Sequence, residues 1–298
     1  MNFGIYEAAV AAVILAVLAG IRMMSSARTA SLGNWIGSAA MLAAIALVLW
    51  HNNIIGTAEL YAAMGLGALV GIVLALRVTM IRMPQMVALL NGLGGGASFL
   101  VALSVIFQNH EAMDIPARST GQLALIIGAV TLSGSLVAAG KLHGLLPQRP
   151  VRIRGAGVLS FLFLAALGGL GDWATFADAG TAAVVSLAVL VLALLFGIHF
   201  TLPIGGADMP VAISLLNSYS GLAASICGFA INDILLVSIG AIVGAAGLIL
   251  TRIMCRAMNR SLVDVLTGGT ARVNTAAVKA EKSVDEPTVE QDPPRETD

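Results

Sequence analysis

A chain of 298 residues that is 58% hydrophobic and 11% charged, with mean hydropathy +0.93, lies well outside the range of soluble domains, in which about a quarter of residues are charged. Its 16 basic and 16 acidic side chains cancel, so no net field draws it toward nucleic acid. Two cysteines, Cys227 and Cys255, in or beside apolar stretches imply neither a disulfide framework nor a metal cluster; they are expected to be packing residues, and no metal site is expected.

Apolar runs of about 20 residues, enough to cross a bilayer, recur at 5–22, 33–50, 58–77, 84–107, 119–140, 155–171, 180–200, 209–231 and 234–254. The first has no basic residues ahead of it; Arg22 and Arg28 follow it. It therefore reads as a retained span and not as a cleaved signal. The expected fold is an all-α, polytopic membrane bundle of about nine helices. Loops after odd-numbered spans carry Arg22, Arg28, Arg77, Arg82, Lys141, Arg149, Arg152, Arg154, Arg252, Arg256 and Arg260, whereas loops after even-numbered spans carry only Arg118. That asymmetry puts the N-terminus outside and the C-terminus in the cytoplasm. One loop departs from it, because residues 200–208 should be cytoplasmic yet hold no Lys or Arg. Residues 1–269 form the expected membrane domain. Residues 270–298, rich in acids and proline, are expected to be a disordered tail.

The spans are not uniformly apolar. In the fourth, Asn91, Gly95 and Ser98 share a helical face. Residues 92–97 of that span match GxGxxA, but a dinucleotide fingerprint needs a preceding strand. Inside an apolar helix these glycines instead let a neighbour approach. In the fifth span Thr131 and Ser135 lie one turn apart, with Gly128 a turn earlier. The eighth span reads as one small, polar stripe of Ser214, Asn217, Gly221, Ala224 and Gly228, and Gly240, Gly244 and Gly247 form another in the ninth. Small residues at this spacing pack helices closely. Asn217 is a different matter: a buried amide needs partners, supplied by interhelical hydrogen bonds or by a water-lined path. Counting inward at about 1.5 Å per residue puts Asn91, Ser135 and Asn217 at one depth, about 8–12 Å below the inner surface. They can form either a hydrogen-bonded knot or a water chain. No titratable side chain lies mid-membrane, so a proton path would take its relay from another chain. Asp208, just after Gly205-Gly206, sits at the cytoplasmic mouth as an ionisable candidate or a simple helix-start acid.

The motifs GGADMPVAISLLNSYSG (205–221) and IMCRAMNRSLVDVLTGG (253–269), with MPQMVALLNGLGGGAS (83–98) and TLSGSLVAAGKLHG (131–144), resemble the membrane domain of the beta subunit of proton-translocating NAD(P) transhydrogenase. The likeness runs from about Ile5 to Gly269; the first two spans share only hydropathy. The resemblance implies a subunit of an enzyme passing hydride from NADH to NADP+ as protons move inward across a bacterial inner membrane. It implies a proton pathway at Asn91, Ser135, Asp208 and Asn217, close-packed or gating glycines at Gly228, Gly240, Gly244 and Gly247, and a junction to an NADP(H)-binding domain at Arg260. The implied partners are transhydrogenase alpha subunits, a separate NADP(H)-binding domain and a second copy of the complex. NAD(H) and NADP(H) are expected on partner domains, with no catalytic residue and no nucleotide site on this chain alone. Many members carry histidine where this chain has Asn91; others take the histidine from the alpha subunit. No glycine-rich nucleotide loop follows residue 269, where members of the family continue into an NADP(H)-binding domain. The alternatives are a small-solute permease and an inactive membrane remnant.

Overall fold

The computed structural model describes residues 3–151 and 155–266, so the tail expected at 270–298 and the basic residues Arg152 and Arg154 lie outside the described residues. Nine long helices follow in order: α1 (Phe3–Met24), α2 (Ala30–His51), α3 (Ala58–Arg77), α4 (Met83–Asn109), α5 (Ile115–His143), α6 (Ala156–Phe176), α7 (Ala179–Thr201), α8 (Met209–Ala230) and α9 (Ile234–Ala257). A five-residue helix, α10 (Leu262–Leu266), closes the described chain. Among the described residues nine helices are long and apolar enough to span a membrane, and none forms a strand. The chain is a multi-pass membrane protein.

Helix ends follow local chemistry. Asp114, Asp178 and Asp233 cap α5, α7 and α9, their carboxylates accepting from the backbone N–H groups of Ala117, Thr181 and Leu236. The bond from Thr181 holds the exposed Asp178 carboxyl below its usual range. Asn53, Asn232 and Asn259 turn the chain out of α2, α8 and α9 with φ of 54°, 57° and 50°, the left-handed region asparagine tolerates best after glycine. α6 outruns its apolar stretch of 155–171, because Asp172 does not break the helix and its last turn continues to Phe176.

Burial is uneven. α8 and α5 form the centre: α5 packs against α4, α6, α7 and α8, and α8 against α4, α5 and α9. Phe99, Ile106, Leu125 and Val189 belong to one apolar core between α4, α5 and α7. The hairpin of α1 and α2 reaches the bundle along one seam, where Val10, Val13, Ala44 and Leu47 meet Leu235 of α9. α3 buries no residue at all. Both cysteines are buried and free.

Candidate functional site

Close approach of backbones builds the site. Where α4 crosses α5, a Cβ on Gly95 would lie 2.8 Å from both the Gly128 carbonyl oxygen and Thr131 Cβ, and one on Gly92 would lie 3.1 Å from Ser135 Cβ. The GxGxxA run is therefore a packing surface on a helix. The α8–α9 contact is as tight: a Cβ on Gly240 would meet the Gly221 carbonyl at 2.8 Å, and one on Gly247 would sit 2.9 Å from Ser218 N. Gly228 abuts Val237 N at 2.7 Å by the same measure, and Gly244 faces the Ser218 carbonyl at 3.3 Å. Serines rivet this seam. Ser218 Oγ donates to the Gly244 carbonyl (2.6 Å), Ser225 Oγ to that of Val237 (3.0 Å) and Ser214 Oγ to that of Gly247 (3.3 Å).

The seam corrects the stripe expected on α8. The face toward α9 consists of Ser214, Ser218, Gly221, Ser225 and Gly228. At 3.6 residues per turn Asn217 is rotated about 60° from the centre of that face, so the five expected positions do not share one contact.

On the other side of α8, Asn91 lies at a three-helix node. Its Nδ2 donates to Ser135 Oγ on α5 (3.0 Å), and its Oδ1 accepts from Ser220 Oγ on α8 (2.6 Å). Asn91 and Ser135 thus meet, in keeping with their equal depth. The arm from α8 is Ser220 and not Asn217, however. Ser220 Oγ also bonds the Asn217 carbonyl (2.8 Å), but the half-buried Asn217 side chain makes no hydrogen bond among the described residues. Three residues along α8 decide the difference, because a step of three turns the helix by about 60° and it is the Ser220 hydroxyl that comes within 2.6 Å of Asn91 Oδ1. Thr131 satisfies itself on the Ile127 carbonyl of its own helix (2.7 Å), and Ser98 on that of Gly94 (3.1 Å).

At the far end of α8, Asp208 does not cap the helix through its side chain. Arg260 Nη1 lies 3.0 Å and 2.9 Å from the two carboxylate oxygens of Asp208, and the Arg260 and Asp208 side chains are only 12% and 7% exposed. Two residues 52 apart in sequence therefore form a nearly dry ion pair, which pins the segment after α9 to the start of α8. Ser261 starts α10 by pairing with Asp264 in a reciprocal cap, and Val265 is fully buried beside Ile204 and Met209.

A second cation holds the loop that leads to Asp208, and it is not the loop charge that the alternation of basic residues implies. Lys141 is wholly buried within α5 and donates to the carbonyls of Leu202 and Ile204, the latter at 2.8 Å. The loop after α7, which holds no basic residue of its own, is served by Lys141 from α5 and by Arg260 from beyond α9. Gly206 N donates to the Gln148 carbonyl at 2.8 Å and ties the same loop to the α5–α6 connection.

Such a bundle can hold fixed polar groups inside an apolar wall, but nothing in the node titrates. Among the described residues no cluster of His, Cys, Asp or Glu has metal-ligating geometry.

A family described as "NAD(P) transhydrogenase beta subunit" matches residues 6–297. The chain belongs to that family. The match covers the first two helices and runs past Gly269, where the motif resemblance ends, through most of the tail. The NAD(P) transhydrogenase subunit beta of Rhodospirillum rubrum is 38% identical over 264 residues, covering 86% of this chain and 56% of its own length. The protein of the same name from strain ATCC 11170 of that species gives the same figures. The chain therefore spans a little over half the length of these curated relatives. Asn91, Ser135, Ser220 and the Asp208–Arg260 pair accordingly sit in the membrane bundle of a transhydrogenase beta subunit.

Proposed function

We propose that this bundle is the proton-conducting membrane part of an NAD(P) transhydrogenase, with Asn91, Ser135, Asn217 and Asp208 along the path. The observation that carries the reading is the Asn91–Ser135–Ser220 chain, which joins α4, α5 and α8 at one level. The half-open Asn217 amide lies one turn from it, and the Asp208–Arg260 pair lies at the end of the same helix. Neutral amides and hydroxyls order water but hold no proton, so the titratable relay comes from an alpha-subunit helix set against α4 and α8.

Hydride transfer from NADH to NADP+ takes place on nucleotide-binding domains, not among these helices. The bundle lies in a bacterial inner membrane, N-terminus outside and C-terminus in the cytoplasm, as the basic residues of alternate loops favour. The working complex contains alpha subunits, an NADP(H)-binding domain and a second copy of itself. Coupling is conformational. Arg260 connects the path of the chain beyond α9 to Asp208, so a shift in the redox-dependent pose of the NADP(H) domain changes the start of α8 and access to Asn217. The packed glycines Gly228, Gly240, Gly244 and Gly247 let α8 and α9 move as one unit.

The test is proton pumping by the reconstituted complex carrying Asn217→Leu or Asp208→Ala, with hydride transfer measured in parallel. Both variants are expected to uncouple, losing pumping more than hydride transfer. Undiminished pumping in both removes the assignment.

A further inference from the structure

The outward face of α9 ends in a groove that neither the node nor the ion pair uses. It has a volume of about 650 Å³ and runs from Ala245 past Leu248 and Ile249 to Arg252 and Arg256, with Leu262 of α10 closing one side. These positions are spaced so that one helical face presents them in that order. From Ala245 to Arg256 the helix rises about 16 Å, close to half of a hydrocarbon core about 30 Å thick. The groove therefore runs roughly one leaflet deep, its apolar residues Ala245, Leu248 and Ile249 in the inner part, Arg256 at the polar edge and Arg252 about one turn below it.

Leu248 and Ile249 are exposed at 48% and 60%, and no ion pair involves Arg252 or Arg256 among the described residues. Arg260, which borders the same groove, is already committed to Asp208. We propose that this groove is a binding site for a single anionic phospholipid, one acyl chain lying along Leu248 and Ile249 and the phosphate held by Arg252 and Arg256. Guanidinium groups suit phosphate because their planar donors match its oxygens, and basic pockets beside transmembrane helices take anionic headgroups for this reason. An acidic peptide segment, such as this chain's own residues 281–298, would match the charge but has no long apolar stretch to lay along the exposed Leu248 and Ile249. A lipid fills both parts.

The experiment uses the purified 298-residue chain in detergent and counts retained lipid by native mass spectrometry after titration with phosphatidylglycerol or phosphatidylcholine. The parent is expected to retain one phosphatidylglycerol in preference to phosphatidylcholine. Arg252→Gln/Arg256→Gln should weaken phosphatidylglycerol binding about fivefold for each arginine removed, leaving phosphatidylcholine unchanged. Arg77→Gln/Arg82→Gln removes equal charge from another exposed loop and should change nothing. Equal weakening by both double variants would mean general surface potential and overturn the site, as would equal retention by parent and Arg252→Gln/Arg256→Gln. A third arm replaces Glu281, Asp285, Glu286 and Glu290 with their amides. If phosphatidylglycerol binds only in that variant, the arginines hold the chain's own acids and the lipid proposal falls.

Discussion

α3 and α9 carry nearly the same sequence device and meet opposite fates. α9 has Gly240, Gly244 and Gly247, and α3 has Gly67 and Gly71 with Ala63 and Ala75 on the same face. In α9 an added Cβ would strike the backbone of α8, whereas at Gly67 and Gly71 it would meet nothing within 4 Å. The difference lies in the partner. α8 offers Ser214, Ser218 and Ser225 to the carbonyls that α9 exposes along its glycine face, and no described helix offers α3 anything comparable. Small residues permit close approach, and complementary donors decide where it happens.

Breaking the packed half should cost far more than altering α3. The largest effect is expected from Asp208→Ala, which breaks the nearly dry pair with Arg260; loss of one partner of a buried pair costs about 3–5 kcal/mol. It should appear as the largest drop in melting temperature in detergent and as cleavage by protease after α9, with Asp208→Glu recovering part of the loss. Gly240→Leu comes next, at about 1–3 kcal/mol or more for overpacking against backbone. The matching Gly71→Leu in α3 should stay within about 0.5 kcal/mol. Equal melting shifts for the two glycine variants would erase the contrast between the helices.

Asn91→Leu is expected to cost about 0.6–1.7 kcal/mol, the range of interhelical hydrogen bonds in membranes. A double-mutant cycle with Ser220→Ala should show coupling, while one with Asn217→Ala should show less. This ordering sharpens the comparison inside α8 itself, between the serine that touches Asn91 and the amide that does not. Asp233→Ala, which removes one helix cap, is expected to cost about 1 kcal/mol, within the range given for Asn91→Leu and above the near-silent Gly71→Leu. It should be seen as faster amide exchange confined to the first turn of α9.

Much of the site is legible in the amino-acid order. Asn91 and Ser135 fall at one level because rise per residue is constant, so distance from the end of a span converts directly into depth. Asp208 and Arg260 each stand out as charges at span ends, but their contact does not: an ion pair across 52 residues depends on how the chain turns at Asn259. Lys141 reads as a loop charge because His143, Gln148 and Arg149 follow it closely. Only the packed loop at Leu202–Ile204 provides the carbonyls that let it stay inside. Ser220 stands out in the sequence only as one of the polar residues costly to bury in the eighth span, and its partner is not legible, since a serine in a membrane helix usually bonds its own backbone, and Ser220 does that as well.

Hydropathy along the chain is enough to specify an all-helical membrane protein, the nine long helices among the described residues and roughly where each begins. Transfer of a 20-residue apolar segment into lipid is a local sum over side chains that no distant contact reverses. Which faces meet is settled only when the helices pack. The rotation of one helix against another, within about one residue, selects Ser220 over Asn217, packs α9 and leaves α3 open. A hydrogen bond tolerates errors of a few tenths of an ångström, whereas helical periodicity defines a face only to within tens of degrees.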